Sequence, residues 1–469
     1  MSAQSNAAAD GAGGGKQLNL LKVLGPVHVW ALGVGIVLVG EYMGWNFSVG
    51  KGGAFGSLIA CWVIGLLYTC VAMIDSEVTS TVAAAGGQYA QAKHIIGPLM
   101  AFNVGLYLVM AYTMLEAADA LVVGDLLVVV AQEFGHNSLD PKPFVVLTIA
   151  FLAWLNYRGV FMTLTVNFVI TAVAFAAILI LFIGLEPWEP AKNMLHRELL
   201  TDLPYGWIGV VAALQFGMWY YLGIEGTCQA AEEVRSAGRS IPLGTMTGMI
   251  TLLIAATLTW YVASGLLPWE YLGQAGVPLY DTARMTGSTG LQVLLFVGTL
   301  FAAVASANGC INDASRSWFS MGRDRYLPQW FAAVHPRYRT PFRAIIFLIP
   351  VAVSFGFTGL LDQVITFSIL SGLLGYTFMS FNVMKFRKSW PLGRIKRGYI
   401  HPFHPIPALT LLILCAATYF ATFLGYGASL LAILVFYIVA SLWFHFHRYK
   451  YVKRADQFTM PWPKPNGYH

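Results

Sequence analysis

The sequence predicts an all-α membrane protein of twelve transmembrane helices, and three observations carry that expectation. Of the 469 residues, 57% are hydrophobic and 11% charged, against about 25% charged in a globular domain. Apolar runs approaching or exceeding the roughly 20 residues needed to cross hydrocarbon recur along the whole chain. The alternating ten-residue signal of a membrane barrel is absent, so the backbone of each run must satisfy its polar groups within a helix.

The runs fall at 27–50, 57–82, 97–130, 143–158, 160–184, 206–232, 242–267, 288–318, 341–359, 362–385, 405–424 and 427–447. Residues 1–15, MSAQSNAAADGAGGG, lack the apolar core of a signal peptide. The segment 1–20 reads as a disordered cytoplasmic tail, and 451–469 as a second one. Cys61, Cys70, Cys228, Cys310 and Cys415 all lie in apolar runs without metal-ligand spacing, as free buried thiols do. Placing both termini inside leaves only Lys51, Lys142, Lys192, Arg197 and Arg284 of the 28 Lys and Arg outside, which fixes the orientation. It also assigns the net charge of +6 to the inner membrane surface rather than to nucleic acid. The basic stretch 319–340 reads as amphipathic and lying along that surface. No soluble domain of useful size is left over, which counts against a receptor kinase or an enzyme with a cytosolic catalytic unit.

Two spans contain what a membrane helix ordinarily lacks. The first holds VLVGEYMGWN, 37–46, and the sixth holds LGIEG, 222–226. Both set glycines beside a glutamate midway along the span. They lie five spans apart, so the second copy is inverted, the pattern that points to a transporter's central site.

Longer motifs carry a family resemblance. AAAGGQYAQAKHIIGP at 83–98, LNYRGV at 155–160, LGIEGTCQAAEEVRSAGRSIP at 222–242 and ASRSWFSMGRDRYLPQWFAAVHPRYRTP at 314–341 resemble, in order, segments of the amino acid–polyamine–organocation transporters. GEYMGWN and the IEG…AAEE run are most similar to the ethanolamine permease branch. The resemblance implies a five-plus-five inverted repeat, 21–184 and 206–385, with helices 1 and 6 broken and two further helices over 405–450. It implies a multi-pass permease of a bacterial cytoplasmic (inner) membrane, with no cofactor. Carried over by position, Gly40, Glu41, Tyr42, Gly44 and Trp45 fall on the first break. Trp219, Leu222, Gly223, Ile224, Glu225 and Gly226 fall on the second. Ala111, Tyr112 and Glu116 face the pocket from the third span, and Asn308 and Cys310 from the eighth. Two departures stand out. Trp45 and Asn46 follow Gly44 where the family has small residues whose amides hold a carboxylate. Span five, near Ala174, has no lysine of the kind some proton-coupled members carry.

The chemistry of these residues has two readings each. An ionisable group in mid-membrane costs about 2.5–3.5 kcal/mol and requires a partner, a water cavity or a proton. Glu41 is a cation site or a protonated acid bonding a free carbonyl. Tyr112, Glu116 and Asp119, at i, i+4 and i+7, share one helical face, as pocket or as polar seam; Asp119 reads as the more structural of the acids. Glu225 either pins a half-helix terminus or titrates during coupling. Glu232 and Glu233 are expected to pair with Arg235 or Arg239. Trp219 is packing or a lid able to cover an ammonium. Asp313 has no assigned role. With acids and no Lys or Arg in the pocket, the leading function is a secondary transporter for a small amine such as ethanolamine, an amino alcohol or a diamine, coupled to a proton, a sodium ion or neither. An amino acid permease is the alternative. A membrane enzyme lacks a nucleophile–base pair or metal cluster, a channel fits broken helices less well, and no GxxxxGK[ST] loop marks an ATP-driven pump.

Overall fold

Lipid offers the backbone no hydrogen-bond partner, and the chain answers with helices throughout. A computed structural model describes residues 20–136, 138–184 and 203–452. The two expected tails lie almost wholly outside the described residues, as does most of the loop 185–205. In order the helices are α1 (Pro26–Met43), α2 (Trp45–Thr81), α3 (Gly87–Ile95), α4 (Pro98–Glu133), α5 (Lys142–Arg158), α6 (Val160–Gly184), α7 (Gly206–Gly217), α8 (Ala237–Leu266), α9 (Trp269–Leu272), α10 (Pro278–Met285), α11 (Thr289–Arg323), α12 (Phe342–Gly356), α13 (Leu361–Ser389) and α14 (Ile406–Trp443). Among the described residues there is no β-strand, and eight helical stretches are long and apolar enough to cross a membrane.

Two of the long elements each hold parts of two expected spans. Gly53, at φ 70°, interrupts α2 and separates the end of span one from span two. Only glycine takes that backbone conformation without strain. The 38 residues of α14 would make a rod of about 57 Å, far beyond the roughly 30 Å hydrocarbon core. Tyr426, non-helical at φ −137°, divides it where the sequence placed the turn between the last two spans. The stretch 319–340 is built of several pieces. Its first residues continue α11 to Arg323, which pairs with Glu232 at 3.0 Å. The remainder forms loop and a short 3-10 turn, with Phe331 stacked on Trp318.

The packing pattern is that of a membrane protein. On α6 the exposed face carries Phe161, Val169, Ile180 and Ile183, whereas Thr163, Asn167 and Thr171 are buried with Ala174. Buried hydroxyls mostly return to their own helix: Thr113 donates to the Val109 carbonyl at 2.7 Å and Thr299 to that of Leu295 at 2.7 Å. Amides knit helices together. Asn156 of α5 donates to Asn308 Oδ1 of α11 at 2.8 Å, Asn308 donates to Asn167 Oδ1 of α6 at 3.1 Å, and Asn167 donates to the Ala31 carbonyl of α1 at 3.3 Å.

One end of the bundle is closed by buried ion pairs. Glu77, at the end of α2, receives Arg387 Nε at 3.0 Å, Arg397, the His401 backbone amide at 2.9 Å and His401 Nδ1 at 2.5 Å. Asp324 binds Lys93 and accepts from the Tyr89 hydroxyl at 2.9 Å. Glu233 is held by Arg316 Nε at 2.9 Å. This corrects the sequence expectation for Glu232 and Glu233, whose partners are Arg323 and Arg316. The chain is extended at Val234, and the Arg235 amide bonds back to the Leu24 carbonyl. Arg235 and Arg239 are thereby left exposed while the two glutamates turn toward α11. Removing one member of a buried charged cluster typically costs roughly 3–5 kcal/mol. Glu77→Gln should accordingly lower the thermal unfolding midpoint of purified protein by several degrees; a midpoint unchanged within one degree would show the cluster to be dispensable.

Candidate functional site

The two glutamate–glycine segments form facing interruptions. α1 ends at Met43 and α2 begins at Trp45, with Gly44 bent between them. The amides that open a helix lack intrahelical acceptors, and the Phe47 amide is taken by Asn46 Oδ1 at 2.9 Å. Span six is broken more deeply. After α7 the chain runs through 3-10 turns at Met218–Tyr220, Ile224–Cys228 and Ala231–Glu233. Gly223 sits at φ 113°, and a side chain there would run into Ile36 of α1. The breaks touch directly. A Cβ on Gly40 would overlap the Trp219 carbonyl, and the Tyr220 hydroxyl donates to the Gly44 carbonyl at 3.2 Å.

Glu41 lies at this junction, fully buried. Its Oε1 has no hydrogen-bond partner. Its Oε2 faces Thr259 Oγ1 of α8 at 3.3 Å, but that hydroxyl lies closer to the Ala255 carbonyl, at 2.9 Å. A threonine hydroxyl has one hydrogen, so Glu41 is supplied with less than one donor. Around it stand Cys61, Tyr220 and Tyr221. Trp45 shares Thr259 with it through Nε1 at 3.0 Å and stacks on Tyr220 with ring centroids 4.2 Å apart. Trp219 is buried with Nε1 unpartnered, and Phe47 lies 6.0 Å from its ring.

The other expected residues divide into several groups. Tyr42 points away from the breaks and donates to the Ala174 carbonyl of α6 at 2.7 Å. Asn308 belongs to the amide relay described above. Ala111 presents its carbonyl to Ser368 at 2.7 Å. Leu222 lies against Gly372, and Ile224 lies against Gly33 and Gly248. Glu225 is bonded within the break: Oε2 accepts from the Gly223 amide at 3.2 Å and Oε1 from the Tyr376 hydroxyl at 2.7 Å. Asp313 stands at the same break, its Oδ2 where a Cβ on Gly226 would sit and its Oδ1 bonded to Asn312 at 2.9 Å. Tyr112 faces Glu225, Asp313 and Cys310 with its hydroxyl unpartnered. Glu116 is not beside Glu41. It neighbours Asp119, with Cys310 of α11 close to both.

Residues 24–465 match the family described as amino acid permease. The chain belongs to the amino acid permease family. This permease is 73% identical over 453 residues to an uncharacterized transporter of Rhizobium meliloti (strain 1021), covering 96% of this chain and 97% of that one. It is 25% identical to the methylthioribose transporter of Bacillus subtilis (strain 168), over 83% of this chain and 86% of the other. It is 22% identical to a branched-chain amino acid permease of the same organism, over 84% and 87%. The protein is thus a multi-pass membrane transporter rather than an enzyme.

Sequence reasoning missed Thr259, Cys61, Tyr220 and Tyr221 as neighbours of Glu41. Tyr220 and Tyr221 adjoin Trp219 and were within reach of the same argument. Thr259 and Cys61 stand in unremarkable apolar runs, and only the packing of α8 and α2 on the permease's first break brings them in. The contact of Gly40 with Trp219 leaves no room for a methyl group. Overpacking of this kind costs about 1–3 kcal/mol. Gly40→Ala should lower thermal stability by that order and abolish uptake in cells; wild-type uptake would show that the two breaks need not touch.

Proposed function

We propose that this permease carries a small organic cation, a primary amine such as ethanolamine or a related amino alcohol or diamine, by alternating access of the repeats 21–184 and 206–385. Glu41 is the counter-ion for the substrate ammonium, and Trp45, Tyr220, Tyr221 and Trp219 form its aromatic wall. The observation that carries this reading is the donor deficit at Glu41: a fully buried carboxyl with one oxygen unpartnered and the other beside an over-committed hydroxyl. An ammonium brings three donors and a compensating charge, and aromatic faces favour it by about 0.5–2 kcal/mol. Among the described residues no Lys or Arg adjoins Glu41; nearby Lys51 is engaged at Gln215, 3.4 Å away, and over the rings of Phe216 and Tyr426. Lys51, Lys142 and Arg284 belong to one side of the membrane and the buried ion-pair clusters to the other. That asymmetry supports cytoplasmic termini in a bacterial inner membrane.

A second reading, transport of an amino acid, is favoured by the name of the branched-chain amino acid permease among the relatives and by the amides that open α2. Against it, Asn46 Oδ1 already occupies the Phe47 amide, and a substrate carboxylate would approach Glu41. At an effective dielectric of about 20, two unit charges 4 Å apart interact by roughly 4 kcal/mol. A third of that is about a tenfold preference.

Ethanolamine should therefore compete against a labelled amine at least tenfold better than serine, which is ethanolamine bearing a carboxylate. If serine matches it at fixed pH, the amino acid reading replaces this one. Glu41→Gln should weaken amine binding at least tenfold in calorimetric titration of folded protein, about 1.4 kcal/mol, and unchanged affinity removes Glu41 from the site. Trp219→Phe should retain most transport in proteoliposomes and Trp219→Ala should lose it; normal transport by the alanine variant makes the ring a packing element.

A further inference from the structure

Glu116 and Asp119 occupy a place that the amine pocket does not use. They stand one turn apart on α4, both fully buried; neither Glu116 oxygen has a hydrogen-bond partner, and Asp119 has beside it only the Ser306 hydroxyl, whose hydrogen is directed to the Ile36 carbonyl. α4 packs on α11 and α13, whereas α1 packs on α8 and α11, so α11 lies between this pair and Glu41. Two carboxylates this close cannot both be ionised in a low-dielectric interior without a counter-charge.

Among the described residues the surroundings supply no such charge. On α11 the neighbouring groups are the Cys310 thiol and the Ser306 hydroxyl, with Asp313 farther along. On α4 itself Tyr112 lies one turn before Glu116, facing Glu225 and Asp75. On α13, Ser368 is bonded to the Ala111 carbonyl and Tyr376 to Glu225. Lys93 of α3 is held at Asp324. α5 and α12 carry their ionisable groups only near their ends, at Lys142, Tyr157, Arg158 and Arg343. A hard metal cation needs a shell of oxygen ligands, which a thiol and a single committed hydroxyl do not make.

We propose that Glu116 and Asp119 form the binding site of a coupling proton, and that Ser306 passes its occupancy to α1. Ser306 Oγ donates its one hydrogen to the Ile36 carbonyl at 2.5 Å and lies at the Asp119 carboxyl. While Asp119 carries the proton, it donates to the Ser306 oxygen and the bond to Ile36 stays. When the proton leaves, the carboxylate competes for that hydrogen with a charge-assisted bond, roughly twice as strong as a neutral one, and the Ile36 carbonyl is released. Ile36 is a sensitive point: its side chain fills the space beside Gly223, Gly226 and Gly309, where α1, the break of span six and α11 meet. Proton loss at α4 is thereby felt at the break carrying Glu225 and on the helix carrying Glu41. The proposal rests on the transporter reading but not on the identity of the amine.

The test uses full-length protein in proteoliposomes with labelled ethanolamine, together with infrared spectra of the purified protein. The wild type should accumulate label under an inside-alkaline pH gradient without sodium. It should also show the C=O stretch of a protonated buried carboxyl at neutral pH. The variant E116Q/D119N should retain ethanolamine counterflow within about twofold, lose gradient-driven accumulation at least tenfold and lose that part of the infrared band. S306A should keep the band and lose accumulation. Accumulation driven by sodium instead of protons, or full accumulation by E116Q/D119N, overturns the site. Full accumulation by S306A overturns the relay. If ethanolamine is not carried at all, the amine reading fails while the infrared band still decides the proton site: a spectrum unchanged in the double variant overturns it. If the double variant does not fold, D119N alone is subjected to the same two readouts.

Discussion

The direct contact between the two broken spans is the constraint on which the rest of this permease depends. An interrupted helix in lipid exposes amides and carbonyls that hydrocarbon cannot satisfy. Here the second interruption helps complete the first, the Tyr220 hydroxyl serving the Gly44 carbonyl, while its own backbone closes on itself in 3-10 turns and packs on Gly40 through Trp219. The closeness requires glycine at 40 and at 223, because a Cβ at either would enter the opposite segment. Once the segments are that close, Glu41 has no exit to solvent, and its neighbours become Thr259, Cys61 and the tyrosines of span six. The unusual electrostatics of the site follow from a steric fact about glycine.

Much of the architecture was legible because bilayer thickness writes itself into sequence as run length. The apolar runs and the division of α14 near Tyr426 were available from composition and run length, and the two glutamate–glycine segments from the residues, while their reading as helix breaks came from the family resemblance. The partners of Glu232 and Glu233 were not. Proximity along the chain favoured Arg235 and Arg239, but one extended residue, Val234, reverses the direction and hands the glutamates to arginines on α11. Asn308 was placed near the pocket by register, yet an amide with two complementary neighbours, Asn156 and Asn167, is held between them. The separation of Glu116 from Glu41 was equally invisible, since helical spacing orders residues on one face and says nothing of which helix stands opposite.

The substrate question rests on local donor arithmetic rather than on kinship. Relatives at 22–25% identity carry names as different as methylthioribose transporter and branched-chain amino acid permease. Kinship at this level does not identify what this chain carries. In this chain the first break holds an acid short of donors inside a ring of aromatics.

The four-way grip on Glu77 has a kinetic corollary. Arg387, Arg397 and His401 join the end of α2 to the end of α13 and the loop beyond it. If prising one partner away costs about 3–5 kcal/mol, the separated arrangement is populated in fewer than roughly one molecule in a hundred at equilibrium. A transport cycle routed through that rupture would wait on a rare event at every turnover. The seam between α2 and α13 thus behaves as a weld, and the places where the bundle yields most readily are those joined by single, replaceable hydrogen bonds. The bond from Ser306 to the Ile36 carbonyl is of that kind.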